Sequence, residues 1–141
     1  MSATRERHVA TRRLVRASDG AALARRVEIA RSFGSRLLGL MGRTHLEEGE
    51  ALWLEPCSSI HMAFVRFPID VLFLDRSGYV LAVFHDVKPW IGLAWCRGAS
   101  ATVELAAGSA ALSGVIPGDR LELIRSAGAC PPPPFAGRGA P

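Results

Sequence analysis

One run constrains the fold of this chain more than any other: Ile69-Asp70-Val71-Leu72-Phe73-Leu74, which follows Pro68 inside the longer stretch 59–80. Ile69, Val71 and Phe73 share one side of an extended chain, and Leu72 and Leu74 share the other. A strand that is apolar on both sides is covered from both sides. The run therefore predicts a central strand. Proline lacks an N–H and belongs at a strand start, an edge or a bulge, so the strand proper begins near Ile69. Asp75-Arg76-Ser77-Gly78 predicts a hairpin turn, with Asp75 capping it and Gly78 free to take φ > 0. A two-residue loop there sets Asp70 against Val83, with His85 one diagonal away on the same face. A three-residue loop with a glycine bulge sets Asp70 against Phe84 and sends His85 to the other face.

The flanking sequence is read by the same rules. Strands are predicted at 13–17, 23–30, 51–54, 79–86, 102–106 and 120–124, separated by turn signals such as Ser18-Asp19-Gly20 and Ile116-Pro117-Gly118-Asp119. Residues 88–98 read as a loop carrying Trp90, Trp95 and Cys96, and 108–114 as one helical turn. Ser32 caps a short helix near 32–42, with Phe33, Leu37, Leu40 and Met41 as its apolar stripe and Gly42 as a left-handed end. Gly39 marks a close approach of that helix to the sheet. Many short strands and one short helix make a mainly β domain, a compact sandwich or a barrel-like fold. The expected organisation is a flexible arm at 1–11, a single domain at 12–125 and a disordered proline-rich tail at 126–141.

Charge and cysteine usage narrow the function classes. Residues 1–43 hold ten Arg against Glu6, Asp19 and Glu28, a balance of +7, while the remainder balances at −3, giving the net +4. The basic residues are interleaved with apolar ones and lack an aromatic stacking pattern, so no nucleic-acid partner is expected. No apolar run reaches the roughly 18 residues that span a bilayer, and the N-terminus has no apolar core of a secretory signal. Cys57, Cys96 and Cys130 are odd in number and widely spaced, which fits reduced thiols better than a disulfide framework. The expectation is a soluble, cytoplasmic, bacterial monomer without a cofactor. Cys57 and His61, even with His85 or Cys96, do not form a metal-ligand pattern of useful specificity, and no metal is expected.

Several motifs occur together in order. The helix reads Arg36-Leu37-Leu38-Gly39-Leu40-Met41-Gly42-Arg43, and the central run reads Ser59-Ile60-His61-Met62 and then Arg66-Phe67-Pro68-Ile69-Asp70-Val71-Leu72-Phe73-Leu74-Asp75. Lys88-Pro89-Trp90, Glu104-Leu105-Ala106-Ala107-Gly108 and Gly118-Asp119 follow. In this order and spacing the chain resembles the bacterial and archaeal domain-of-unknown-function family 192 over about residues 14–124. The resemblance implies a compact, mostly β single domain and no established activity. Many members of that family carry an N-terminal signal or anchor.

The candidate ligand-binding residues are His61, Asp70, Trp90, Trp95 and Glu104. An imidazole within an apolar run serves as a base, a ligand or a hydrogen-bonded core residue. A carboxylate in a central strand is costly to bury unpaired and must reach donors. Arg36, Arg66 and His85 are its expected partners, with a turn-binding or ion-paired structural role preferred over catalysis. Aromatic residues on a loop often line a binding surface. Arg36, Gly39, Gly42, Pro68, Gly78, Gly108, Gly118 and Asp119 are expected to be structural. No residue is assigned as catalytic. The leading expectation is a non-enzymatic domain that binds a small polar ligand or a peptide. The alternatives are a hydrolase or lyase using His61 with Asp70 or Glu104, and a structural partner pairing through an edge strand.

Overall fold

The computed structural model describes residues 12–31, 40 and 43–125. The expected arm at 1–11, the expected helix near 32–42 apart from Leu40, with Arg36, Gly39 and the expected cap at Gly42, and the expected tail at 126–141 lie outside the described residues.

The protein is mainly β. Strands β1 (Arg12–Arg16), β2 (Ala22–Ala30), β3 (Glu50–Leu54), β5 (Ile69–Leu74), β6 (Val80–Val87), β8 (Ala101–Ala106) and β9 (Leu121–Arg125) form one sheet in the order β6-β5-β8-β3-β2-β1-β9. Strands β4 (Ser59–His61) and β7 (Leu93–Trp95) form a second, two-stranded sheet, and Ser109–Ser113 forms the short helix α1. Neighbours in the large sheet are antiparallel except for the parallel pair β2 and β3.

The large sheet curls until its two outer strands meet. Tyr79 bridges Arg120, and the Val80 and Leu121 amides donate to the carbonyls of Asp119 and Gly78 at 2.8 and 2.9 Å. This closure requires glycine at 78. Its φ is +87°, and a Cβ there would lie 2.6 Å from the Leu121 carbonyl oxygen. The domain is thus barrel-like, with one short helix.

The curled sheet separates two apolar layers. The inner layer gathers Leu14, Val27, Trp53, Leu72, Leu74 and Val103, with Ala110 of α1 at one end. The outer layer gathers Leu52, Leu54, Ile69, Val71 and Phe73 and is covered by Leu40, Leu46 and the inward residues Ile60 and Ala94 of β4 and β7. All six residues of β5 are buried, and they divide between the layers as their parity requires. Its five apolar side chains each stabilise by roughly 1.5–3 kcal/mol when fully buried, so β5 anchors both layers.

The β5–β6 hairpin follows neither simple register. It begins with Leu74 opposite Val80, shifts to Phe73 opposite Ala82, and ends with Ile69 opposite Val87. The irregularities flank Leu81 and the pair His85-Asp86, and Asp86 takes a φ of 53°. The second bulge turns the Asp86 amide inward toward Asp70. Local turn chemistry at 75–79 does not decide this, because a buried carboxylate at the far end of the hairpin draws the strand out of register. The segment 88–98 differs from expectation as well. It contains β7, held to β4 by the pairs Ser59–Trp95, Ile60–Ala94 and His61–Leu93.

Candidate functional site

Asp70 is a structural hub. It is 1% exposed, and its Oδ1 accepts the Asp86 N–H at 2.9 Å. Its Oδ2 accepts the N–H groups of Gly108 and Ala110 at 3.0 and 2.9 Å. Those two amides open α1, whose preceding Gly108 has a φ of 90° and makes no side-chain cap. Asp70 supplies the cap from across the fold. The expected partners Arg66 and His85 do not reach it; backbone amides take their place, since a bulge and a helix start both bring unpaired N–H groups to the same spot. Gly118 and Asp119 sit in a comparable network of local contacts. Gly118 has a φ of 96°, and the Asp119 carboxylate accepts the Ile116 N–H at 3.0 Å and faces Arg16 at 3.3 Å.

Glu104 lies on the opposite layer. It stands between Leu52 and Val71 on the outer face of the large sheet and is 8% exposed. Its Oε2 has no hydrogen-bond partner. Burial pushes its carboxyl up from the ordinary 4.5 to about 7, against a smaller downward pull from the Arg43 guanidinium. Arg43 is itself held by Glu28 at 2.6 Å and Glu50 at 3.6 Å.

His61, Trp90 and Trp95 do come together. The two turns at 62–65 and 88–92 are knitted by backbone hydrogen bonds. The Trp90 amide donates to the carbonyls of Met62 and Val65, and the Met62 amide donates to Gly92. The tip so formed is tight. A Cβ on Gly92 would overlap the Lys88 carbonyl oxygen and meet Val87 at 2.7 Å and Met62 at 2.9 Å. On this tip Phe64 and Trp90 stack edge to face with ring centroids 5.8 Å apart. Phe64 has a φ of 64° and Trp90 a φ of 66°. They are 61% and 54% exposed. Ile91, Leu93 and Trp95 continue the exposed apolar surface along β7, and His61 lies directly across from Leu93.

The five candidates therefore do not open onto one cleft. The His61 side chain is exposed and has no hydrogen bond or ion pair to a described residue, so neither Asp70 nor Glu104 orients it as an acid–base partner would. A groove of about 420 Å³ between β2 and α1, lined by Leu23, Arg25, Glu48 and Leu112 among others, contains none of the candidates. Among the described residues, no group of three or more His, Cys, Asp or Glu side chains is placed to hold a metal ion. The same residues include no helix long and apolar enough to cross a membrane.

Sequence reasoning missed Phe64, Ile91 and Leu93. Phe64 sits in a run that reads as strand, and no Gly, Pro or Asn marks its turn. Pro89-Trp90-Ile91-Gly92 does carry a turn signal, with proline and glycine at its ends, and that signal could have placed the aromatic tip.

Comparison with known proteins gives the fold a context. A crystal structure of a protein of unknown function from Novosphingobium aromaticivorans DSM 12444 is similar, with a TM-score of 0.69 and 25% identity, covering 79% of this chain and 83% of that one. A Sinorhizobium meliloti 1021 protein, described provisionally as a transcription regulator, is similar with a TM-score of 0.70 and 28% identity, covering 79% of this chain and 91% of that one. No curated protein sequence matches the chain. Residues 14–123 match the model of DUF192, a family described as an uncharacterised ACR. That match spans the curled sheet, the aromatic tip and α1 together, and by it the chain belongs to the DUF192 family.

Proposed function

We propose that this chain is a non-enzymatic binding domain whose partner, a peptide segment of another protein, docks on the face built by β4, β7 and the aromatic tip. The observation that carries this reading is the pair Phe64 and Trp90. Each is a bulky L residue at left-handed φ, a conformation that costs roughly 1–2 kcal/mol, and each leaves more than half of its surface in water. Burial does not offset that cost in the free protein. Strain retained at an exposed aromatic pair points to a function for the pair. Ile91, Leu93 and Trp95, close by in sequence, are exposed as well, and exposed apolar residues gathered in one region mark interaction sites. Ser59 and His61 are the polar side chains on the outer side of β4. Aromatic and aliphatic contact therefore dominates, which suits a peptide better than a small polar molecule. The odd, widely spaced cysteines fit a reducing compartment, and on that ground we place the domain in the cytoplasm.

Tryptophan emission reports docking directly, because Trp90 and Trp95 are exposed and Trp53 is buried. Peptides selected from a random library against the full chain should shift that emission to the blue. Trp90→Ala should weaken them by about tenfold or more, the loss expected of an aromatic anchor. Selected peptides that bind Trp90→Ala and Trp95→Ala as tightly as the parent protein would overturn the proposal.

A further inference from the structure

Resting on that reading, we infer that the partner segment is acidic, an apolar or aromatic stretch flanked by carboxylates. The charges that frame the face carry this step. In the segments 59–68 and 85–97, which build the tip and the two strands, the charged residues are Arg66, Asp86, Lys88 and Arg97. Asp86 is tied to Lys88 at 2.9 Å, so that pair cancels. Arg66 and Arg97 remain. Arg66 lies two residues beyond Phe64, and Arg97 lies two residues beyond Trp95. Both are exposed, and neither side chain makes an ion pair among the described residues.

The face is thus an apolar surface with an exposed arginine two residues beyond Phe64 and another two residues beyond Trp95, and the one carboxylate in its two segments, Asp86, is paired with Lys88. Guanidinium groups present a planar fork of donors that matches a carboxylate in two-point contact. His61 adds to the same preference. Its ring is exposed and has no partner among the described residues, and an imidazole carries an N–H to donate. A carboxylate that lands beside an apolar contact is partly removed from water and screened less than one on an open surface. Complementary charge at the rim of an apolar patch also raises the encounter rate and rejects basic partners. An anionic lipid surface shares the negative charge. The peptide is favoured because the guanidinium forks and the His61 N–H select discrete, directional acceptors on a face whose edge is a short strand pair.

The test uses the full-length protein and three synthetic peptides with one shared apolar and aromatic centre. One carries Glu on both flanks, one Ser and one Lys. Vesicles of a neutral lipid, with and without an anionic lipid, serve as the competing probe. Affinity is read from tryptophan emission and by titration calorimetry. The Glu-flanked peptide is expected to bind about tenfold tighter than the Ser-flanked one, and the Lys-flanked one to bind most weakly. Raising the ionic strength should shrink these differences. The variant Arg66→Glu/Arg97→Glu, changed at two exposed positions, should reverse the order. Equal binding of all three peptides, lost on Trp90→Ala, would overturn the acidic inference and leave the docking face standing. Binding of the anionic vesicles with no binding of any peptide would overturn both. A Glu preference that survives in the Arg66→Glu/Arg97→Glu variant would overturn the assignment of the two arginines.

Discussion

Glu104 offers the most quantitative test of how this fold treats charge. Its carboxyl stands between Leu52 and Val71 in the outer apolar layer, and burial raises it from the ordinary 4.5 to about 7. The folded protein therefore holds this proton more tightly than the unfolded chain does. Below about pH 4.5 both states are protonated, and the group imposes no pH-dependent penalty. As pH rises from there toward 7, the unfolded chain releases the proton while the folded protein keeps it, so stability falls. Above about 7 both states are ionised and the penalty is complete. Each pH unit between the two values is worth about 1.4 kcal/mol, so the interval from 4.5 to about 7 amounts to about 3 kcal/mol. Glu104→Gln keeps the shape and cannot ionise. Urea denaturation of the parent and the variant at about pH 4 and about pH 8 separates the effect from everything else. Other titrating groups are common to both proteins and cancel in the difference. The variant should gain about 3 kcal/mol relative to the parent between the two pH values. A difference between the two proteins that stays flat with pH would refute the reasoning, and one of opposite sign would mean that Arg43 outweighs burial.

Asp70→Asn should destabilise by about 2–3 kcal/mol, because one oxygen that accepts N–H groups becomes an NH₂ facing them in a buried site. Chemical denaturation reads this, and parent-like stability would show that the three amides find other acceptors. Gly92→Ala should cost about 1–3 kcal/mol and redshift the Trp90 emission, since its new methyl would press on the Lys88 carbonyl and Met62. An unchanged melting temperature and emission spectrum would show that the tip is less tightly built than its contacts imply.

How much of this was legible beforehand differs by element. The two-sided burial of Ile69 to Leu74 was plain in the sequence, because side-chain alternation is a local property that needs no knowledge of the partner strands. The turn glycine at 78, the tight turn at Gly118-Asp119 and the helical turn opening after Gly108 were legible for the same reason. The family resemblance was carried by motifs that each sit within one element. Asp70 was legible only as a carboxylate in need of donors. Its partners were not, because they come from backbone N–H groups 16, 38 and 40 residues away that no residue type announces.

Which stretches are extended, which faces are apolar and where the chain must turn follow from side-chain polarity and from the φ preferences of Gly and Pro within a few residues. Three further features arise from long-range contacts alone. Those contacts close the sheet through Tyr79 and Arg120, displace the hairpin register by two bulges, and knit the turns at 62–65 and 88–92 into one tip. Each depends on hydrogen bonds between segments far apart in the chain. At that range the buried amide and carbonyl groups of the whole fold must be satisfied together, and local preference gives way, as where the β5–β6 hairpin leaves the register that its turn alone would set.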